Sequence, residues 1–125
     1  MNCQRGGPST GLPTKTEQSD LYQAVYGRNG DVPLVVIAAR SPADCFESAI
    51  EAVRLAVQFM TPVILLTDGY MANAAEPWRL PDLASLESFA AEFYDRVPSE
   101  GRINPYARDA DTLKRTFGSS QARPV

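Results

Sequence analysis

Two apolar runs separated by one amphipathic stretch constrain this chain more than anything else in it. Leu34-Val35-Val36-Ile37-Ala38 is continuous in apolar residues, follows Pro33 and closes on the polar pair Arg40-Ser41. That is the pattern of a strand buried on both faces. Ser41-Pro42-Ala43-Asp44 then supplies an N-cap serine, a proline at the first helical position and an acid in the first turn. Phe46, Ala49, Ile50, Val53, Ala56, Val57 and Met60 recur at three- and four-residue steps, which predicts one apolar stripe against a sheet, with Glu47, Glu51, Arg54 and Gln58 facing outward. Thr61-Pro62 stops the helix, and Val63-Ile64-Leu65-Leu66-Thr67 reads as a second buried strand. Residues 34–67 therefore predict a βαβ unit with parallel strands and a right-handed crossover.

Ligands in such sheets bind beyond the carboxyl ends of the strands, here Ala39-Arg40 and Thr67-Asp68-Gly69-Tyr70. Asp68-Gly69 has two readings: a turn pair that caps the next segment, or a carboxylate at a ligand edge. A shorter helix is expected before the unit, with Leu21, Ala24 and Val25 on one face and Gly27 at a left-handed C-terminal position. Thr14 and Glu17 have the spacing of a capping box at its start.

In front of that helix lies Asn2 to Gln18, with one arginine, three glycines and two prolines, in which no regular element is expected. Glycines let backbone approach a ligand, the hydroxyls of Ser9 and Thr10 can donate to it, and Arg5 offers a two-pronged fork suited to carboxylate or phosphate. The spacing is neither that of a P-loop nor that of a dinucleotide fingerprint. On the residues alone an anion-binding loop and a merely tight surface loop stand level.

Composition narrows the chemistry. The chain has no histidine, which removes Ser-His-Asp and Cys-His catalysis and most zinc sites. Cys3 and Cys45 are far apart and do not provide the four thiolates of an iron–sulfur cluster; Cys45 is expected as a small buried apolar residue in a helix. A net charge of −3 without a basic block speaks against nucleic acid, and no apolar run approaches the ~20 residues that cross a bilayer. Met1 is followed by polar, glycine-rich sequence, so no leader is expected and the reading is cytoplasmic.

The remaining segments carry less. Leu80, Leu83, Leu86, Phe89, Ala90 and Phe93 suit a short amphipathic helix or irregular hydrophobic cover, with Trp78 as packing. Residues 97–125 read as linker and tail.

Five motifs in one order, "QRGGPSTGLPTKTEQSDL", "YGRNGD", "SPADCF", "MTPVILLTDGYMAN" and "EPWRLP", resemble the alpha subunit of 2-oxoacid:ferredoxin oxidoreductases, of the 2-oxoglutarate type. The match covers roughly Asn2 to Asp82, with a weaker echo at Pro105-Tyr106-Ala107-Arg108-Asp109. The resemblance implies an α/β fold, a three-layer sandwich-type parallel sheet of the thiamine-diphosphate-binding kind, present in part. Residues 1–86 would be part of the pyrimidine-side domain and 87–125 irregular cover, linker and tail. It implies an enzyme that decarboxylates a 2-oxo acid, transfers the acyl group to coenzyme A and sends electrons through iron–sulfur clusters to ferredoxin. By the same resemblance Arg5 recognises the 2-oxo acid, Thr14 shares in that recognition, Ser9 and Thr10 are loop contacts, and no residue here is assigned as catalytic.

The family's upstream Y-P-I-T-P motif does not occur in this sequence. Thiamine diphosphate, magnesium and the iron–sulfur cluster are expected mainly on other chains, the first two on a beta subunit, with none bound by this chain alone. Asp68-Gly69 is not the counterpart of the beta subunit's G-D-G segment. Two strands, a crossover helix and a short flanking helix bury little apolar surface, so the sequence is expected to be a piece of a longer domain that begins near an interior strand. The alternatives are a non-catalytic α/β binding or assembly fragment, and a subunit for pyruvate or branched-chain 2-oxo acids.

Overall fold

Strand β3, Val63–Asp68, is the centre of the molecule, and its residues from Leu65 to Asp68 are all buried. The structure, a computed structural model, describes residues 1–9, 11–30, 34–89 and 106–114. Strand β1 (Asn2–Gln4) pairs with β3 on one side, and β2 (Val35–Ala38) pairs with it on the other. Both pairings are parallel: Asn2 stands opposite Leu66 and Gln4 opposite Asp68, while Val35 stands opposite Val63 and Ala38 opposite Leu66. The order β1-β3-β2 makes the anticipated βαβ unit real and adds a strand to it.

That strand corrects the expectation that no regular element precedes the first helix. Asn2-Cys3-Gln4 lacks an apolar alternation, but pairing with a strand already in place needs only backbone N–H and C=O groups, and polar side chains can follow. Strand β2 is also less enclosed than its apolar run predicts, since Val35, Val36 and Ile37 are half-buried and Ala38 is exposed. Among the described strands it has a neighbour on one side only.

Helix α2 spans Asp44–Phe59 and follows the predicted start, with the Asp44 N–H donating to Ser41 Oγ (3.3 Å) and the Cys45 N–H to the Ser41 carbonyl (3.2 Å). Met60 at φ 44° ends it in the left-handed region just before Thr61-Pro62. The buried face is rotated from the predicted stripe. Ser48 and Ala52 are buried, whereas Ala49 is exposed and Val53 is 51% exposed. Small side chains let the helix axis approach the sheet, and the larger apolar groups flank that line of approach.

The first helix, α1, runs Asp20–Tyr26 and begins five residues later than a Thr14 cap requires. Thr14 is exposed, and Glu17 Oε1 instead accepts from the N–H groups of Gln18 (2.8 Å) and Ser19 (2.7 Å). The intervening chain is pinned: the Lys15 N–H donates to the Leu12 carbonyl (3.2 Å) and the Glu17 N–H to Asp68 Oδ2 (3.2 Å). The Glu17 N–H is the donor that a Thr14 cap would accept, and Asp68 holds it instead. Ala24 is buried, but Leu21 and Val25 are exposed. Gly27 is not left-handed (φ −82°); a Cβ there would lie 2.6 Å from the Gln23 carbonyl oxygen, so crowding at the last turn is what demands glycine.

A five-residue helix, α3 (Gly69–Asn73), leaves the end of β3. Beyond it Trp78 packs on Phe46 with ring centroids 5.3 Å apart. Of the two forms anticipated after Leu80, a short amphipathic helix or irregular cover, the described residues show the irregular one, with a 3₁₀ turn at Leu83–Ser85 capped by Asp82, Leu80 and Leu83 exposed and Leu86 and Phe89 half-buried. Ala90 and Phe93 lie outside the described residues. In the segment 106–114, Asp109 Oδ1 gathers the N–H groups of Asp111 and Thr112, and Arg108 donates to the Phe59 carbonyl at the end of α2. Among the described residues no helix is long and apolar enough to cross a membrane.

Candidate functional site

Because Gln4 stands opposite Asp68 in a parallel pair, the chain leaves β1 and β3 side by side at the same sheet edge. Arg5 follows one strand end and Gly69 the other. The edge is the carboxyl end predicted to carry a ligand, but the loops that form it come from β1 and β3, not from Ala39-Arg40. A pocket of about 560 Å³ opens there. Cys3, Gln4 and Arg5 line it from β1, Ser9 and Pro13 from the following loop, and Gly69, Ala72 and Asn73 from α3.

The glycine-rich stretch is a closed loop. The Gly11 N–H donates to the Pro8 carbonyl (3.0 Å), the Leu12 N–H to the Gly6 carbonyl (3.1 Å), and Gly6 and Leu12 form an antiparallel bridge. Ser9 and Gly11 have positive φ (56° and 38°), and the Gly7-Pro8 bond is cis. A Cβ at Gly11 would fall 1.7 Å from the Gly6 carbonyl oxygen, so no larger residue fits where the two arms meet. The clustered glycines and prolines are thus the requirement of a tight loop whose arms touch.

Arg5 springs from the base of this loop and bends over it, its Nη2 donating to the Ser9 carbonyl (2.9 Å). That uses one of five guanidinium donors, and among the described residues no carboxylate pairs with it. An exposed guanidinium fixed at one corner of a pocket is suited to hold an anionic ligand group.

The candidates separate as follows. Arg5 and Ser9 come together in the pocket wall. Thr14 does not line it; its neighbour Pro13 does. Thr10 lies outside the described residues. Gln4 and Asn73 were not anticipated. Gln4 is buried, with Oε1 accepting the Asp20 N–H (3.0 Å), and Asn73 donates to the Gly69 carbonyl (2.7 Å). An isolated Gln in an unrecognised strand and an Asn in a five-residue helix carry no periodic signal by which sequence reading finds them.

Asp68 proves to be a cap. Its Oδ1 accepts the Met71 N–H (2.8 Å), its Oδ2 accepts the Glu17 N–H, and it is 4% exposed. Both carboxylate oxygens are engaged with backbone, which leaves the ligand-edge reading without a free acceptor face. Hydrogen bonds from Ser19, then Gln18, hold the Glu17 carboxyl below its usual range. Burial, reinforced by the charge of Asp44, pushes the Cys45 thiol up, in keeping with its half-buried place on α2, whereas Cys3 is exposed.

The pocket is lined by one cation, Arg5, and by no carboxylate side chain, so it suits an anionic ligand group and offers a metal ion no anionic oxygen donor. Its polar side chains are Cys3, Gln4, Arg5, Ser9 and Asn73, and among the described residues no group of three or more cysteine, aspartate or glutamate side chains is gathered for a metal ion. Cys3 on β1 and Cys45 on α2 do not form a cluster-binding set either.

An α/β domain with a parallel sheet and an arginine-bearing pocket at its strand ends is the class that this geometry defines. The sequence matches the family described as "Pyruvate flavodoxin/ferredoxin oxidoreductase, thiamine diP-bdg" over residues 1–121. It is 61% identical over 117 residues to the 2-oxoglutarate oxidoreductase subunit KorA of Mycobacterium tuberculosis, a match covering 94% of this chain and 18% of that protein. To the 2-oxoglutarate synthase subunit KorA of Archaeoglobus fulgidus it is 44% identical over 89 residues, 71% of this chain and 26% of that one. Among solved structures it is similar to the 2-oxoglutarate:ferredoxin oxidoreductase from Magnetococcus marinus with 2-oxoglutarate, coenzyme A and succinyl-CoA bound, with a TM-score of 0.50 and 48% identity over 56% of this chain and 12% of that chain. The chain belongs to the pyruvate flavodoxin/ferredoxin oxidoreductase family, within its thiamine-diphosphate-binding domain, and spans a minor part of the length of these relatives.

Proposed function

We propose that the chain contributes the carboxylate-holding wall of a 2-oxo acid site in an alpha subunit of a 2-oxoglutarate:ferredoxin oxidoreductase. The overall reaction would convert 2-oxoglutarate and coenzyme A to succinyl-CoA and carbon dioxide, with two electrons passing to ferredoxin. The observation that carries the reading is Arg5, fixed at one corner of a pocket where two parallel strands end together. Arg5 binds and orients the substrate carboxylate, and Ser9, Thr10 and Thr14 belong to the segments around it. A planar cationic clamp holds the acid so that its reacting carbon meets the cofactor at one fixed place.

Thiamine diphosphate supplies the electron sink for loss of carbon dioxide when bound. Its diphosphate and magnesium, and the iron–sulfur cluster, belong in this reading mainly to a beta subunit or other chains, as the family resemblance implies. Ferredoxin is the electron acceptor and the setting is cytoplasmic. Residues 1–86 act as part of the pyrimidine-side domain, and 87–125 as cover and connection.

The test is coenzyme A-dependent viologen reduction by the assembled enzyme captured from the source cells through a tag on this chain, with 2-oxoglutarate, pyruvate and a branched-chain 2-oxo acid in parallel. Arg5→Ala is expected to raise KM for 2-oxoglutarate about ten- to hundredfold, the loss of one charged hydrogen-bonded clamp. Unchanged KM would overturn the site assignment. A second reading, a non-catalytic assembly piece, is favoured by the exposed Tyr22–Tyr26 pair, stacked at 6.2 Å on α1; capture of a beta subunit without any reduction would select it.

A further inference from the structure

Asp68 lies outside the pocket lining, yet the pocket's shape depends on where it sends its two oxygens. One holds α3 by its first turn, through the Met71 N–H, and the other holds the Glu17 N–H, 51 positions away in sequence. Pro13, in the same segment as Glu17, is a pocket wall, and Gly69, next to Asp68, is another. The Pro13 carbonyl oxygen presses on Gly69 so closely that a Cβ there would lie 2.2 Å away. One buried carboxylate and one glycine thus join the two walls that come from distant parts of the chain. Neither wall has another hydrogen bond to the other among the described residues.

We propose that Asp68 is a positioning residue of the 2-oxo acid site: it touches no substrate, but through the Glu17 N–H it fixes the Pro13 wall against α3 and so sets the width of the pocket that Arg5 guards. The inference rests on the 2-oxo acid reading given above. Loss of the Glu17 bond lets the Leu12–Glu17 segment lift from the sheet end, and a small misplacement of a binding wall weakens the grip on substrate far more than it weakens binding elsewhere.

The test uses the assembled enzyme with Asp68→Asn, in which one of the two acceptor oxygens becomes an N–H donor, beside Arg5→Ala. KM for 2-oxoglutarate is expected to rise about tenfold, while KM for coenzyme A is unchanged and the thermal midpoint of the complex falls little. Equal rises in both KM values, or no rise in either, would overturn the inference, because a general loss of structure has no reason to single out the 2-oxo acid. Should Asp68→Asn fail to assemble, Glu17→Pro removes the donor instead, with Glu17→Ala as the control for its side chain; the proline variant alone must show the selective KM rise for the inference to stand. Selective loss in Arg5→Ala with none in the Asp68 or Glu17 variants leaves the site and removes the positioning role. No effect of Arg5→Ala removes the 2-oxo acid site itself, and the positioning role with it.

Discussion

The Pro13 carbonyl oxygen occupies the direction in which Gly69 would carry a side chain, 2.2 Å from an ideally built Cβ, with the carbonyl carbon at 2.9 Å. Gly69→Ala must therefore part the loop from α3. Both contact atoms are backbone, so no side-chain rotation relieves the clash, and overpacking of this kind costs about 1–3 kcal/mol. A lower urea midpoint is expected, together with weaker use of the 2-oxo acid; an unchanged midpoint would show that the two walls do not press on one another.

Leu66 is 1% exposed and stands opposite both Asn2 and Ala38 at the centre of the sheet. Leu66→Ala is expected to cost about 2–5 kcal/mol, read as a fall in urea midpoint at constant slope. Val53→Ala, at a position 51% exposed on α2, should stay within about 0.5 kcal/mol. Similar losses from the two substitutions would mean that α2 turns its predicted stripe, Val53 included, toward the sheet.

The two cysteines should differ in reactivity. Cys3 is exposed and lines the pocket, whereas Cys45 is half-buried, its thiol pushed up by burial and its Sγ donating to the Ser41 carbonyl at 3.4 Å. Limiting iodoacetamide near neutral pH should label the Cys3 peptide several-fold ahead of the Cys45 peptide. Saturating 2-oxoglutarate should slow labelling of Cys3 and leave Cys45 unaffected, which mass spectrometry of the digested enzyme reads directly.

The Glu17 carboxyl is held below its usual range by the N–H groups of Ser19 and Gln18. A carboxylate whose folded value is depressed contributes stability that is complete above its ordinary value and is lost as pH falls through the lowered one. The entry to α1 is therefore expected to be intact at neutral pH and to loosen only in acid below the ordinary carboxylate range. Amide exchange at Ser19 across that range, compared with Glu17→Gln, checks it: the variant should lose the pH dependence.

Residues 34–67 were legible because both of their signals are periodic and local: an unbroken apolar run for each strand, a cap and a proline stop for the helix between them. The register of α2 was not, because Ser48 and Ala52 reach the sheet by being small, a property that a search for large apolar side chains passes over. Strand β1 was invisible for a related reason. Asn2-Cys3-Gln4 is a strand only because β3 offers it a partner. At the candidate site, Arg5 and Ser9, singled out for the chemistry of their side chains, both line the strand-end pocket. Thr14 was read as a helix cap, but the donor it would accept, the Glu17 N–H, goes to Asp68, and no local pattern records a bond between residues so far apart.

Strand order also dictates the order of construction. Strands β2 and β3 are joined through a single helix, but β1 meets β3 only after a loop of about sixty residues has closed, and closure over that distance is slow and entropically unfavourable. Among the described strands the three-residue β1–β3 pairing is thus expected to form last and to open first, which amide exchange along the sheet would read. In the proposed site Arg5 hangs from that strand, so a bound carboxylate would hold shut the seam on which its own pocket depends, and occupancy and the β1–β3 pairing would share one equilibrium.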